Sequence, residues 1–285
     1  MSFSESYFLF TMVWQEKILS PKERNSWQKT LLRYWDLLCV LVPQTLHARY
    51  RGSYLGVYWS LLNPVIMTAL YTTIFGTAFA SYYDNSLVNY VLAAFTGLLV
   101  IHFYNSSTTQ ALTSVVSNGE LLNKIRVPTD IFPLTMIGAN IVQFLIGPFP
   151  ILVIITLLKS GSVVHVFLLL IPFISLVLVC TGVGFIVSAL FVFFRDLGYF
   201  YEVATFIVWI SSPVFYPPEI VPSQVKPFLN LNPLVAIIES LRQISLTPDF
   251  PEPFFLLGVI SYGIILSAFG YMFFRKLEPE FLDLL

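Results

Sequence analysis

Residues 160–194, SGSVVHVFLLLIPFISLVLVCTGVGFIVSALFVFF, contain no Asp, Glu, Lys or Arg. A helix on the surface of a soluble core is apolar along one stripe only, so an uninterrupted run of this length answers to a hydrocarbon layer about 30 Å thick. Five further charge-free runs flank it, at 52–83, 85–119, 131–158, 203–218 and 253–274. Each charge misplaced near mid-membrane would cost roughly 2.5–3.5 kcal/mol on insertion scales. With 56% hydrophobic and 11% charged residues and a mean hydropathy of +0.78, the pattern predicts an all-α polytopic membrane protein. Six transmembrane helices are expected at about 57–80, 88–112, 131–158, 165–192, 200–217 and 254–274.

Lys and Arg are retained on the cytoplasmic side of membrane proteins. Lys17, Lys22, Arg24, Lys29, Arg33, Arg49 and Arg51 precede the first span, and Lys124, Arg126, Arg195, Arg275 and Lys276 fall in alternate connections, which puts twelve of the fifteen basic residues on one side. Only Lys159, Lys226 and Arg242 fall opposite. Both termini are therefore expected in the cytoplasm. The apolar stretch 7–14 is short and follows Glu5 with no basic start, which argues against a cleaved signal peptide. The net charge of −1 carries no information about partners, and nothing points to nucleic acid. Cys39 and Cys180 lie in different environments and read as packing residues.

Two regions outside the spans have patterns of their own. Residues 30–51 mix Leu31, Leu32, Trp35, Leu37, Leu38 and Leu41 with Arg33, Asp36, Arg49 and Arg51, as an amphipathic helix lying in the membrane interface does. Pro43 is expected to bend or interrupt it. Residues 217–253 hold too many prolines for one helix. Inside them Asn232 and Pro233 form a cap and a first-turn proline ahead of Leu234, Ile237, Ile238, Leu241 and Ile244. That short amphipathic helix and the segment 218–229 are expected either to dip into the outer leaflet as a re-entrant pair at a pore mouth or to form a surface loop.

Chemical motifs are scarce. No stretch matches the phosphate loop G-x-x-x-x-G-K-[ST], so the chain cannot cradle nucleotide phosphates on such a loop by itself, and any energy for uphill movement has to enter elsewhere. His47, His102 and His165 are far apart and lack metal-ligand spacing. The expected spans hold no ionisable group at mid-depth, which removes the usual parts of a proton relay. No cofactor or metal is expected in this chain. The candidate for energy input is the connection 118–128, in which Leu121, Leu122 and Ile125 alternate with Glu120, Lys124 and Arg126 before Pro128. A short amphipathic helix of this kind can dock in a groove on a soluble partner.

Other residues are candidates by their chemistry. Tyr58, Trp59, Tyr71, Phe215 and Tyr216 offer flat aromatic faces on the expected spans, to line a path or to serve as interfacial anchors. Arg49 and Arg51 offer guanidinium groups at the inner end of the first span, to meet an anion or to serve topology alone. Asn63 and Pro64, inside the first span, are the candidate hinge.

Residues 49–64, RYRGSYLGVYWSLLNP, resemble the start of the first span in permease subunits of ATP-binding-cassette exporters of lipid-linked polysaccharide, the families of O-antigen, capsule and teichoic acid. Three further matches follow in order: 118–133 (NGELLNKIRVPTDIFP), 194–197 (FRDL), and 212–217 (SPVFYP) leading to 231–234 (LNPL). His102 stands where these families usually have an aromatic residue, and Pro43 is unusual for them. Residues 1–29, expected as a cytoplasmic segment, have no counterpart in these families. For the rest, the resemblance implies an interfacial helix over 33–48, within 30–51, and a six-helix permease domain over 52–285. It also implies a coupling helix over 121–127, within 118–128, and outer gate helices over 218–244, within 217–253. In such an exporter Tyr58, Trp59, Tyr71, Phe215 and Tyr216 would line the glycan path by packing on the C–H faces of sugar rings, and Arg49 and Arg51 would meet a lipid pyrophosphate at the inner mouth. Two copies, a homodimer, would surround a channel above two soluble ATPase subunits that bind ATP and Mg, in the bacterial inner membrane. This makes the chain a transport permease and no enzyme. Two alternatives share these features: an exporter of drugs or lipids, and a membrane-embedded polyprenyl-sugar transferase built on carboxylates such as Asp84, Glu120, Asp130, Asp196 and Glu202. A non-transporting scaffold accounts poorly for the polar stretch 105–110.

Overall fold

The computed structural model describes residues 26–124, 127–229 and 231–284, so most of the segment 1–29 and two residues of the candidate coupling helix, Ile125 and Arg126, lie outside it. Every regular element among the described residues is helical. In chain order these are α1 (Ser26–Tyr50), α2 (Trp59–Phe79), α3 (Leu87–Ser117), α4 (Gly119–Lys124), α5 (Ile131–Ile146), α6 (Pro148–Ser160) and α7 (Val163–Leu168). There follow α8 (Leu170–Phe193), α9 (Leu197–Ser211), α10 (Lys226–Leu229), α11 (Pro233–Leu246), α12 (Pro253–Leu277) and α13 (Phe281–Leu284).

Among the described residues, four helices are long and apolar enough to cross a membrane: α2, α3, α12 and the α7–α8 stretch 163–193. A fifth crossing results if α5 and α6 count as one, although they meet at a bend of 45°. The expectation of an unbroken helix over 131–158 is corrected there: Gly147 and Pro148 end one helix and start the next, and the hydropathy gives no warning because both flanks stay apolar. The expected fifth span, 200–217, is met only in part. The helix there is α9, whose 15 residues reach only about 22 Å, short of the roughly 30 Å of a hydrocarbon core. Ser211, Ser212 and Pro213 end it.

α3 is the centre of the bundle. In its most apolar window 67% of residues are buried, against 17% in that of α2. It packs against α2, α5, α8 and α11, and Ser86 caps its first turn by accepting from the Asn89 amide at 3.3 Å. α8 and α12 share the most extensive interface. Small residues bring their backbones into contact: a Cβ on Gly270 would overlap the Gly182 carbonyl, and the Ser175 hydroxyl donates to the Val259 carbonyl at 2.6 Å. Such close approach is what drives helices together in lipid, where the solvent is as apolar as the side chains. A Cβ on Gly263 would sit 3.0 Å from the Ser175 carbonyl. Gly263→Ala is therefore expected to destabilise by about 1–3 kcal/mol, read as a lower midpoint of thermal unfolding in detergent.

α1 runs on through Pro43, which corrects the expectation of an interruption. The carbonyl that loses its donor belongs to Cys39, on the exposed side of the helix, where the solvent can satisfy it. Tyr34, Leu37, Leu38 and Leu41 pack on the cluster of Ile131, Phe132, Phe274 and Phe281, while Trp35 and Val40 stay exposed. At the other end of the bundle, residues 218–229 form only the short turn Pro218–Ile220 and the single-turn α10. α11 is the one substantial helix of that region. Asn232 caps it as expected, accepting from the Leu234 amide at 3.0 Å. Its apolar face, Leu234, Ile237, Ile238, Leu241 and Ile244, is buried against α3, α6 and α8.

Candidate functional site

A polar stripe on α3, made of His102, Asn105, Ser106 and Gln110, recurs at helical spacing and faces three different surroundings. Toward α2 and α9, a cavity of about 210 Å³ is lined by Asn63, Pro64, Tyr71, His102, Asn105 and Trp209. It continues into a groove of about 450 Å³ that shares Asn105 and Trp209 and adds Glu202, Thr205 and Phe206. The Asn105 Oδ1 has no hydrogen-bond partner among the described residues. Around this space the aromatics form a connected set. Tyr71 stacks on Phe215 with ring centroids 3.6 Å apart, and the Trp209 ring meets both edge-on, at 6.3 and 6.0 Å. Phe206 adds a further ring 5.8 Å from Trp209.

The five aromatics singled out from sequence do not form one ladder. Tyr71 and Phe215 are brought together, but Tyr58 and Trp59 lie about 18 Å further along α2, exposed at its first turn. Tyr216 folds back, donating its hydroxyl to the Ile210 carbonyl at 3.2 Å. Asn63 and Pro64 line the cavity, and α2 continues through Pro64, whose carbonyl accepts from the Thr68 hydroxyl at 2.7 Å. Trp209 and Asn105, which line the cavity with Tyr71, and Glu202, which lines the adjoining groove, were missed. The polar stretch 105–110 and a carboxylate early in an otherwise apolar helix were the available signals.

The two arginines near the start of α2 part company. Arg49 points inward, where Nη1 donates to the Asn140 Oδ1 at 3.2 Å and the Gln143 Oε1 at 2.9 Å, and Nη2 donates to the Gln110 Oε1. Asn140 Nδ2 donates to the same Gln110 oxygen at 2.8 Å. The guanidinium is thus solvated by amide oxygens from α3 and α5 instead of a carboxylate. Arg51 is exposed and lines an open groove of about 810 Å³ with Gln44, His47, Tyr50, Val57 and Val142.

At the same end of the bundle, α4 divides its two leucines. Leu121 is 37% exposed beside the exposed Glu120, whereas Leu122, 8% exposed, packs into the cluster of Val115, Ile131, Phe132 and Phe281. Lys124 closes the helix. Beyond it, Asp130 is buried at the start of α5, accepts a hydrogen bond from the Tyr34 hydroxyl of α1, and stands 3.7 Å from the Arg275 guanidinium of α12. Burial pushes the Asp130 carboxyl up and Arg275 opposes that shift. Arg275 also pairs with Glu278 at 2.7 Å, and Glu278 accepts from the Thr129 hydroxyl. This network ties α1, the exit from α4 and the end of α12 together, and its partners are too far apart in sequence to have been paired by reading.

At the opposite end, the strap 211–217 between α9 and α10 is held from several sides. The Tyr90 hydroxyl donates to the Phe215 carbonyl at 3.0 Å, and Asn232 Nδ2 donates to the Ser212 hydroxyl at 3.0 Å. Arg242 of α11 donates from Nε to the Ala93 carbonyl at 3.0 Å and from Nη2 to the Val214 carbonyl at 2.9 Å.

The chain is similar over most of its length to named membrane transport proteins. It is 28% identical over 262 residues to an O-antigen export system permease protein RfbA of Klebsiella pneumoniae, covering 88% of this chain and 95% of that protein. A protein of the same name from Myxococcus xanthus is 25% identical over 257 residues, with coverage of 90% and 97%. The capsule polysaccharide export inner-membrane protein CtrC of Neisseria meningitidis is 23% identical over 224 residues, with coverage of 77% and 82%. Residues 36–246, from within α1 to the end of α11, match the ABC-2 type transporter family, and the chain belongs to that family.

Proposed function

We propose that this chain is the membrane subunit of an ATP-driven exporter of lipid-linked polysaccharide, working as two copies with two soluble ATP-binding-cassette subunits. Family membership and the names of the relatives support the transport role. The observation that carries the substrate class is the wall built from Tyr71, Phe215 and Trp209 beside Asn63, Asn105 and Glu202. Flat aromatic faces take the C–H faces of sugars, and the amides and carboxylate take their hydroxyls. Glu202 is exposed on a helix whose other exposed residues, Tyr199, Phe200, Val203, Ala204, Phe206, Ile207 and Ile210, carry no charge. A carboxylate facing lipid is costly. This face of α2 and α9 therefore belongs against water and a second copy, which completes an aqueous lumen.

The other parts follow. α9 and the strap 211–217 together make the fifth of six crossings, with α12 the last, and an even number of crossings sets both termini in the cytoplasm of a bacterial inner membrane. α4 is the coupling helix, and Glu120, Leu121, Lys124, Ile125 and Arg126 meet the ATPase, which holds ATP and Mg. Leu122 seats that helix. Arg51 receives the lipid pyrophosphate in the groove beside His47 and Tyr50. Pro64, beside Asn63, is the hinge of α2.

The test is substrate-stimulated ATP hydrolysis by the reconstituted complex, comparing lipid-linked glycan with an amphipathic drug. Stimulation by the drug alone would replace this reading with that of a drug exporter. Turnover of polyprenyl-linked sugar by the chain without ATP would replace it with that of a transferase. Trp209→Ala removes one stacking face, an interaction of about 1–3 kcal/mol per ring in comparable aromatic platforms. Export by that variant is expected to fall roughly tenfold or more with basal ATP hydrolysis unchanged. Equal export by variant and wild type would take Trp209 out of the path.

A further inference from the structure

We infer that Arg242 is the latch of an outer gate: its guanidinium holds the strap 211–217 closed over the end of the path between α2, α3 and α9, and releases it during export. This rests on the exporter reading given above. Arg242 occupies the polar side of α11, yet it is partly buried, and no carboxylate stands within ion-pair distance of it among the described residues. A guanidinium out of bulk water needs hydrogen-bond acceptors for its fork of five donors. Here the acceptors are backbone carbonyls, Ala93 on the central helix and Val214 on the strap. One side chain thus bridges three elements, and one of its two anchors is the strap itself.

The surroundings are cut to fit this contact. Gly97 of α3 lies under it, and a Cβ there would stand 3.2 Å from Arg242 Nη2 and 3.3 Å from both the Cα and Cγ1 of Val214. Tyr90, 1% exposed, holds the next carbonyl of the strap at 3.0 Å. With these carbonyls fixed, Phe215 is presented to Tyr71, and the two rings stack beside the cavity that Tyr71 lines. Releasing Val214 frees Phe215 from Tyr71, and the same movement that unlatches the strap opens the aromatic contact. The contacts are few and made to backbone, so they survive changes of strap sequence but depend on one charged side chain.

The latch is tested on the complex with its ATPase, reconstituted in vesicles of phosphatidylethanolamine and phosphatidylglycerol, by potassium flux without ATP and glycan export with it. Two charge-assisted contacts bias a two-state gate by about tenfold or more, so Arg242→Met is expected to raise the resting flux by that factor, and Arg242→Lys to fall between. A second variant does not remove the charge. Gly97→Ala leaves Arg242 in place but sets a Cβ 3.2 Å from its Nη2 and 3.3 Å from the Val214 Cα, wedging the latch apart. It is expected to raise the resting flux as Arg242→Met does. Resting flux at the wild-type level in both variants overturns the latch while the wild-type complex still exports. A wild-type complex that exports no glycan overturns the exporter reading itself.

Discussion

Leu121→Asp is expected to abolish glycan export while the chain still inserts, folds and melts as the wild type does. Leu121 is more than one-third exposed at the end of the bundle where α1, α4 and the chain end gather, so an aspartate there stays hydrated and costs the fold little. The cost falls on the interface with the ATPase, whose groove has to take an apolar side chain. Leu122 is the internal control. Its side chain is buried among Val115, Ile131, Phe132 and Phe281, so an aspartate there loses apolar burial and places an unpaired carboxylate in the cluster. Leu122→Asp is expected to destabilise by about 3–5 kcal/mol, enough to lower the amount of folded protein. The measurement is paired: export and ATPase binding on one side, yield and thermal midpoint on the other. If Leu121→Asp binds and exports normally, α4 is not the point of coupling.

This split between neighbouring leucines marks what reading the chain could and could not reach. Alternation placed Leu121 and Leu122 on one apolar face, but a six-residue helix has room for one inward and one outward contact, and only the packing of α5, α12 and α13 decides which residue is which. The membrane class was legible because the absence of charge over 160–194 has one physical explanation. The Asn232 cap was legible because capping is local. By contrast, Arg242 binds carbonyls 149 and 28 positions away, and a backbone carbonyl leaves no mark in the sequence at all. Gly147 and Pro148 did leave one, and it was outweighed by the hydropathy of the residues on both sides. The length of α9 was misjudged for the same reason: Val214 and Phe215 are apolar, so the run reads on although Ser212 and Pro213 have ended the helix.

Replacing Arg49 and Arg51 one at a time is expected to damage the protein in two different ways. Arg49→Ala removes a guanidinium from three amide oxygens and leaves Gln110, Asn140 and Gln143 short of donors inside the bundle. Hydrogen bonds to a charged group contribute about 1.5–3 kcal/mol each when well formed, and partial regrouping of the amides recovers some of that, so a loss of about 2–4 kcal/mol is expected. The end of α1 then loses its tie to α3 and α5, and export falls with stability. Arg49→Lys does not rescue, because one ammonium cannot reproduce the planar fork that reaches oxygens on two helices. Arg51→Ala leaves the thermal midpoint unchanged, since the side chain is exposed over the open groove. Its expected effect is on substrate: loss of one guanidinium contact to phosphate weakens the apparent affinity for lipid-linked glycan by roughly tenfold, and Arg51→Lys restores part of it because a point charge still attracts the pyrophosphate. The discriminating measurement is the glycan concentration that half-stimulates ATP hydrolysis, taken beside the melting curve for each variant. A change in half-stimulation for Arg49→Lys without any loss of stability would return Arg49 to the substrate and empty the amide cage of its structural role.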